Sequence, residues 1–151
     1  SGPNPTNSEW KCIRSEQKKI RAKQKQDREN RRRKTDERKR KIQQAKRNVS
    51  LENKNLSCQL GCSQQRISAT VKNNSHLTID SITLGWLVRE PDPNDRSCPR
   101  TYNIRKSSFI RIEPGSSGHV TMAQMFLQEF KFSGKSFAYC IGIVDVSFVP
   151  D

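Results

Sequence analysis

"ISATVKNNSHLTIDSITLGWLV", residues 67–88, is the stretch that decides the fold. Ile67, Ala69 and Val71 alternate with polar residues, the period of a strand with one face buried. Asn73-Asn74-Ser75 interrupts the alternation with turn-forming residues. From Leu77 to Arg89 the alternation resumes, but its phase changes. Leu77 and Ile79 share one parity, whereas Ile82, Leu84, Trp86 and Val88 share the other. One inserted residue swaps the faces of a strand, so a bulge is expected at Asp80-Ser81.

Downstream, "EPDPNDRSCPR" is too rich in proline and charge for a strand and reads as an irregular loop. Tyr102–Ile112 is strand-like, Glu113-Pro114-Gly115-Ser116 is a turn, and His119–Met122 is a short strand. "AQMFLQEFKFSGK" reads as a loop or one to two helical turns. Phe137–Val149 is the longest strand, apolar on both faces up to Ile143 and then on the Val144, Val146 and Phe148 face. Short strands separated by turns, with no helix between them, predict an antiparallel β-sandwich of about ninety residues.

"ISATVKNNSHLTIDSITLGWLV" followed by "FIRIEPGSSGHVTM" resembles the FxLYD-type, immunoglobulin-like bacterial sandwich domains over roughly residues 66–149. The shared features are a strand ending in Val-x-Asn-x-Ser, an alternating Ile/Leu strand, and an apolar-x-Pro-Gly turn before a further strand. The chain has no Phe-x-Leu-Tyr-Asp string and carries extra cysteines. The resemblance implies a cell-envelope or secreted location and a binding or structural role. It brings no catalytic residues with it.

Upstream the chain changes character. Residues 1–8 read as a flexible lead-in, 9–50 as a long basic helix, 51–65 as a junction and 66–151 as the sandwich. Between Glu9 and Arg47 there is neither Pro nor Gly, and the residues are mostly good helix formers. Ser8 is a suitable N-cap. Asp27–Arg31, Glu29–Arg33, Asp36–Arg40 and Glu37–Lys41 are acid-to-base pairs four apart, each with the acid nearer the N-terminus. A coiled-coil seam starting from Ile13 and Ile20 meets Asp27, Lys34 and Lys41, so the heptad pattern fails. The expectation is a solvated single helix with apolar residues at its ends, Trp10, Ile13 and Ile20 at one and Ile42, Ala45, Val49 and Leu51 at the other. Dimerisation through those ends stays open.

Overall composition, 31% hydrophobic and 29% charged, is poor for a globular chain, but the average hides two unlike parts. Twelve of the fourteen net positive charges lie in residues 1–55, and nine of the ten aromatics lie beyond them. Such a charge favours an anionic partner. Arg31, Arg32, Arg33, Lys34, Arg38, Lys39, Arg40 and Lys41 are the candidate contacts. The helix reads first as a solvated spacer. It also suits an anionic lipid or acidic protein surface, or a nucleic-acid arm that binds phosphates. No groove-reading motif or interleaved aromatics accompany it. No transmembrane run of apolar residues and no signal peptide are legible. Ser1-Gly2 reads as a cloning remnant, which leaves a removed native leader or anchor open.

Cys58, Cys62, Cys98 and Cys140 lie in or beside the sandwich, and Cys12 lies alone on the helix. Two disulfides are the favoured reading, with three pairings open. Cys140 shares parity with Val144, Val146 and Phe148 and is expected to face inward. A zinc site is the rival, but the second pair lacks a knuckle; reduced buried thiols are the other alternative. No metal or cofactor is expected.

His76 and His119 sit at polar turns or strand edges, without a placed proton-transfer partner. No Gly-x-Ser-x-Gly or phosphate-binding glycine loop occurs. The chain is therefore not read as an enzyme. Met125, Phe126, Phe130 and Phe132 form a candidate protein-binding patch, against the plainer reading of a loop tucked over the core. Asn48-Val49-Ser50, Asn55-Leu56-Ser57 and Asn73-Asn74-Ser75 fit the N-glycosylation pattern. The functional expectation is a periplasmic or extracellular adaptor that binds a protein partner, with a cytoplasmic nucleic-acid-binding protein as the alternative.

Overall fold

The computed structural model describes residues 6–127 and 137–150. The chain divides into two units, Ser1–Lys41 and Ile42–Asp151. Helix α1 runs Asn7–Arg47. Its N-terminus is closed by a capping box. Glu9 N donates to Thr6 Oγ1, and Thr6 N donates to Glu9 Oε2 at 2.8 Å. Thr6 is therefore the cap, not Ser8; the Thr6-x-x-Glu9 spacing carries that signal. Every described residue of the first unit is exposed. Among the described residues, none of the four acid-to-base pairs closes to an ion pair. Long exposed side chains gain too little in water to be held in one geometry.

The last helical turn belongs with the second unit, where Ala45 is buried and Lys46 Nζ reaches Asp145 Oδ1 at 2.7 Å. Six antiparallel strands follow: β1 Val49–Gln59, β2 Gln64–Asn73, β3 Ile79–Arg89, β4 Ile104–Ile112, β5 Ser117–Met125 and β6 Ala138–Phe148. They form two three-stranded sheets, ordered β1-β2-β5 and β4-β3-β6. The result is the mainly β sandwich with one long helix that the alternation predicts. Residues 90–103 form no strand, as their composition demands.

The expected bulge is present, since the pairing of β3 slips between Ile79 and Ser81. Ile79 is thereby buried together with Ile82, Leu84 and Trp86, despite their opposite parity. The segment from Ala123, read as a loop or helical turns, is strand up to Met125, and residues 128–136 lie outside the described residues. A second bulge explains the one strand that the alternation does not show. The segment read as a junction is strand β1, and the pairing slips between Glu52 and Asn55, with Asn53 at φ 53°. Val49 and Leu51 pack on the core before the slip, Leu56 and Cys58 after it. Without the bulge the alternation looks broken, which is why residues 51–65 do not read as a strand.

The core lies between the sheets, around Trp86, Ile67, Val71, Ile82, Leu84 and Ile112. Among the described residues, the polar side chains of Asn73 and Gln65 are the most fully buried, and both are satisfied. Asn73 donates through Nδ2 to the carbonyls of Leu77 and Ile112, at 2.8 and 3.0 Å, while its Oδ1 accepts from Ser75 N and Ser75 Oγ. The Asn73-Asn74-Ser75 turn is therefore a buried knot that ties β2 to the end of β4. Gln65 accepts from Trp86 Nε1 at 3.1 Å and donates to Cys62 O at 3.0 Å. Most buried polar groups are paired in this way; Asp80 Oδ1 and Arg89 Nε are the exceptions among the described residues.

Candidate functional site

The end of the sandwich away from the Asn73 knot gathers the β1–β2 turn, the 90–103 loop and the start of β6. Both disulfides are there, Cys58–Cys62 and Cys98–Cys140. Bonding of all four sandwich cysteines settles the pairing that spacing leaves open. Cys12 is a free, exposed thiol. No cluster of metal-binding side chains occurs among the described residues.

Cys140 is buried, but not for the expected reason. The β3–β6 register passes from Thr83–Asp145 to Leu84–Ile143, so Val144 is an extra residue. Ile141 and Ile143 pack on the core before it, Val146 and Phe148 after it. Cys140 and Gly142 therefore lie on the outer face of β6. They are covered there by the 90–103 loop, which Cys98 staples down and whose Tyr102 ring rests on the Gly85–Gly142 pair. Burial raises the Tyr102 pKa above its ordinary value.

The same loop borders a depression of about 350 Å³ lined by Arg89, Asp92, Asp95, Arg96 and Tyr139 among others. Part of its charge is committed locally, although Arg89 Nε is buried without a hydrogen-bond partner among the described residues. Arg89 donates to Asp95 O, and Asp92 and Asp95 accept from the backbone N–H groups of Asn94 and Ser97. The Ser97 hydroxyl, then its N–H, holds the Asp95 carboxyl below its ordinary pKa. His76 and His119 are both exposed.

The β1–β2 turn is unusual in its backbone. Leu60, Gly61 and Cys62 lie at φ 54°, 65° and 63°, three successive left-handed residues. Leu60 is 67% exposed. Ser63 Oγ donates to Leu60 O at 2.7 Å, and Phe126 N donates to Ser63 O at 2.7 Å. The second bond ties the end of β5 to the turn. Of the patch residues expected from sequence, Met125 is 69% exposed and Phe126 half-buried at this end. Phe130 and Phe132 lie outside the described residues. Beside the turn, Ser57, Gln59, Gln64, Arg66 and Ala123 line a depression of about 110 Å³. Arg66 has no ion-pair partner among the described residues. Leu60 and Arg66 carry no signal in the sequence, because neither the handedness of the turn nor the pairing of Arg66 follows from residue type.

The basic candidates are all on α1 and all exposed. At 3.6 residues per turn, Arg31, Lys34, Arg38 and Lys41 share one side. Arg32 with Lys39, and Arg33 with Arg40, take the others, so positive charge surrounds the helix. No described helix is long and apolar enough to cross a membrane.

Neither a family model nor a curated protein matches the sequence. Among solved structures, the chain is similar to part of the Bifidobacterium adolescentis GH3 beta-glucosidase, with 14% identity and a TM-score of 0.38. The overlap covers 67% of this chain and 16% of that one, and it carries no statement about activity.

Proposed function

We propose that the protein is a non-enzymatic adaptor of the cell envelope or the extracellular space. Its sandwich docks a protein partner, and its basic helix spaces, tethers or oligomerises the assembly. The bonding of all four sandwich cysteines carries this reading, because structural disulfides persist in oxidising compartments and are rare in the cytosol. Resemblance of residues 66–149 to envelope sandwich domains supports the same view. Thiol titration of denatured native protein tests it. One reactive thiol per chain, Cys12, is expected without reductant, and all five cysteines with it. Four or more thiols without reductant would sink the envelope reading.

A second reading has its own observation. Residues 1–41 carry sixteen bases against six acids, and the described ones are all exposed. A cytoplasmic nucleic-acid-binding protein using α1 as a phosphate-binding arm would shift duplex DNA or single-stranded RNA on a gel. That binding would fall steeply with salt. Absence of any shift at low salt removes this reading.

A further inference from the structure

The Leu60 turn combines three properties that rarely coincide. A β-carbon at positive φ crowds the neighbouring carbonyl, and leucine, unlike asparagine, has no polar group to relieve the position locally. Its side chain also packs little within its own chain, being 67% exposed. Yet the conformation is heavily enforced. The Cys58–Cys62 bridge spans it, the buried Trp86–Gln65 pair holds the Cys62 carbonyl, and Ser63 is bonded on both sides of it. A strained residue that the fold holds but does not use for packing points outward, to something it contacts.

We propose that this turn is a docking knob. Leu60, flanked by the exposed Met125, fills an apolar socket on a partner protein, and a carboxylate on the socket's rim enters the adjacent depression to pair with Arg66. The inference rests on the partner-binding reading above and names its surface. Charge complementarity identifies the occupant. Arg66 has no ion-pair partner among the described residues, and it shares its 110 Å³ recess with the polar Ser57, Gln59 and Gln64. A second copy of this chain would set Arg66 against Arg66 and one convex apex against another. A lipid surface is a poorer fit, since Leu60 and Met125 bring no aromatic anchor and the recess asks for a directional acceptor. Arginine is one of the residues enriched in protein-binding hot spots, where the surrounding contacts exclude water from the central pocket.

Photo-crosslinking in cells that make the protein tests this. p-Benzoylphenylalanine is placed at Gln59, with Thr121 and Phe109, both exposed on the two sheets, as controls. The expected result is one discrete adduct with another protein from Gln59 and none from the controls. Leu60→Asn and Arg66→Glu should each reduce it at least tenfold. Leu60→Asn should do so while raising the unfolding temperature, since asparagine tolerates the left-handed position. That opposition separates a docking leucine from a structural one, whose replacement would lower both. An adduct that persists in both variants overturns the proposal, as does a self-adduct. Sedimentation with phosphatidylglycerol vesicles that is lost in Leu60→Asn overturns it in favour of lipid. An adduct from Thr121 or Phe109 alone overturns the knob but leaves a protein partner standing. No adduct from any position overturns both.

Discussion

Gly85 and Gly142 face each other across β3 and β6, and the Tyr102 ring lies over the pair. A β-carbon at Gly85 would sit 2.6 Å from Tyr102 Cβ and 2.7 Å from its Cγ, the part of the side chain least able to move. Gly85→Ala should therefore cost about 1–3 kcal/mol, the usual penalty of overpacking. Urea unfolding would read it as a lower midpoint with an unchanged slope. Gly142→Ala meets the outer ring atoms at 2.9–3.2 Å and should cost less. Neither glycine stands out in the sequence, because what excludes a methyl group comes from a loop some fifteen residues or more away. Asn73 is a middle case. Its turn is legible from Asn-Asn-Ser, but its burial is not, and burial decides the fate of the glycosylation pattern there. Both Nδ2 hydrogens are used inside the fold, so Asn73 is closed to modification while Asn48 and Asn55 are exposed.

At the scale of elements, five of the six strands and the helix are legible from alternation and helix-forming composition. What escapes notice is set by bulges. The slip at Ile79–Ser81 shows itself because long apolar runs flank it on both sides. The slip in β1 falls among Glu52, Asn53, Lys54 and Asn55, where no apolar residue marks the change of face. The extra Val144 in β6 misleads in the same way, and it reverses the expected orientation of Cys140. The junction of helix and sandwich holds a titratable contact. The hydrogen bond from Lys46, with help from the Val146 N–H, holds the Asp145 carboxyl below its ordinary pKa. The unfolded chain therefore takes up this proton at a higher pH than the folded one. The stability it adds is present above the ordinary carboxylate range and is lost as pH falls through the folded value. The pair is partly exposed, so the effect is small and screened by salt. Lys46→Ala should lower stability slightly at neutral pH, and the deficit should shrink as the carboxylate is protonated, flattening the acid limb, as followed by unfolding midpoints from pH 7 down to about pH 3.

Across the whole molecule, the two bridges differ mainly in the length of chain they close. Cys98 and Cys140 are separated by 42 residues, Cys58 and Cys62 by four. Chain entropy assigns the first about 4 kcal/mol and the second about 2 kcal/mol. Cys98→Ser/Cys140→Ser should lower the unfolding temperature well below that of Cys58→Ser/Cys62→Ser, and calorimetry of the two double variants measures the gap. The cysteine count makes bridges legible in the sequence, whereas their ranking needs the pairing. The two tryptophans give the architecture an optical label. Trp86 is fully buried with its indole N–H bonded to Gln65, and Trp10 is 45% exposed on a helix dense in positive charge. Iodide, drawn to that charge, should quench the red-emitting Trp10 component readily and leave the blue-emitting Trp86 component lit. One fluorescence spectrum then reports separately on the helix and on the sandwich, without a label attached to either.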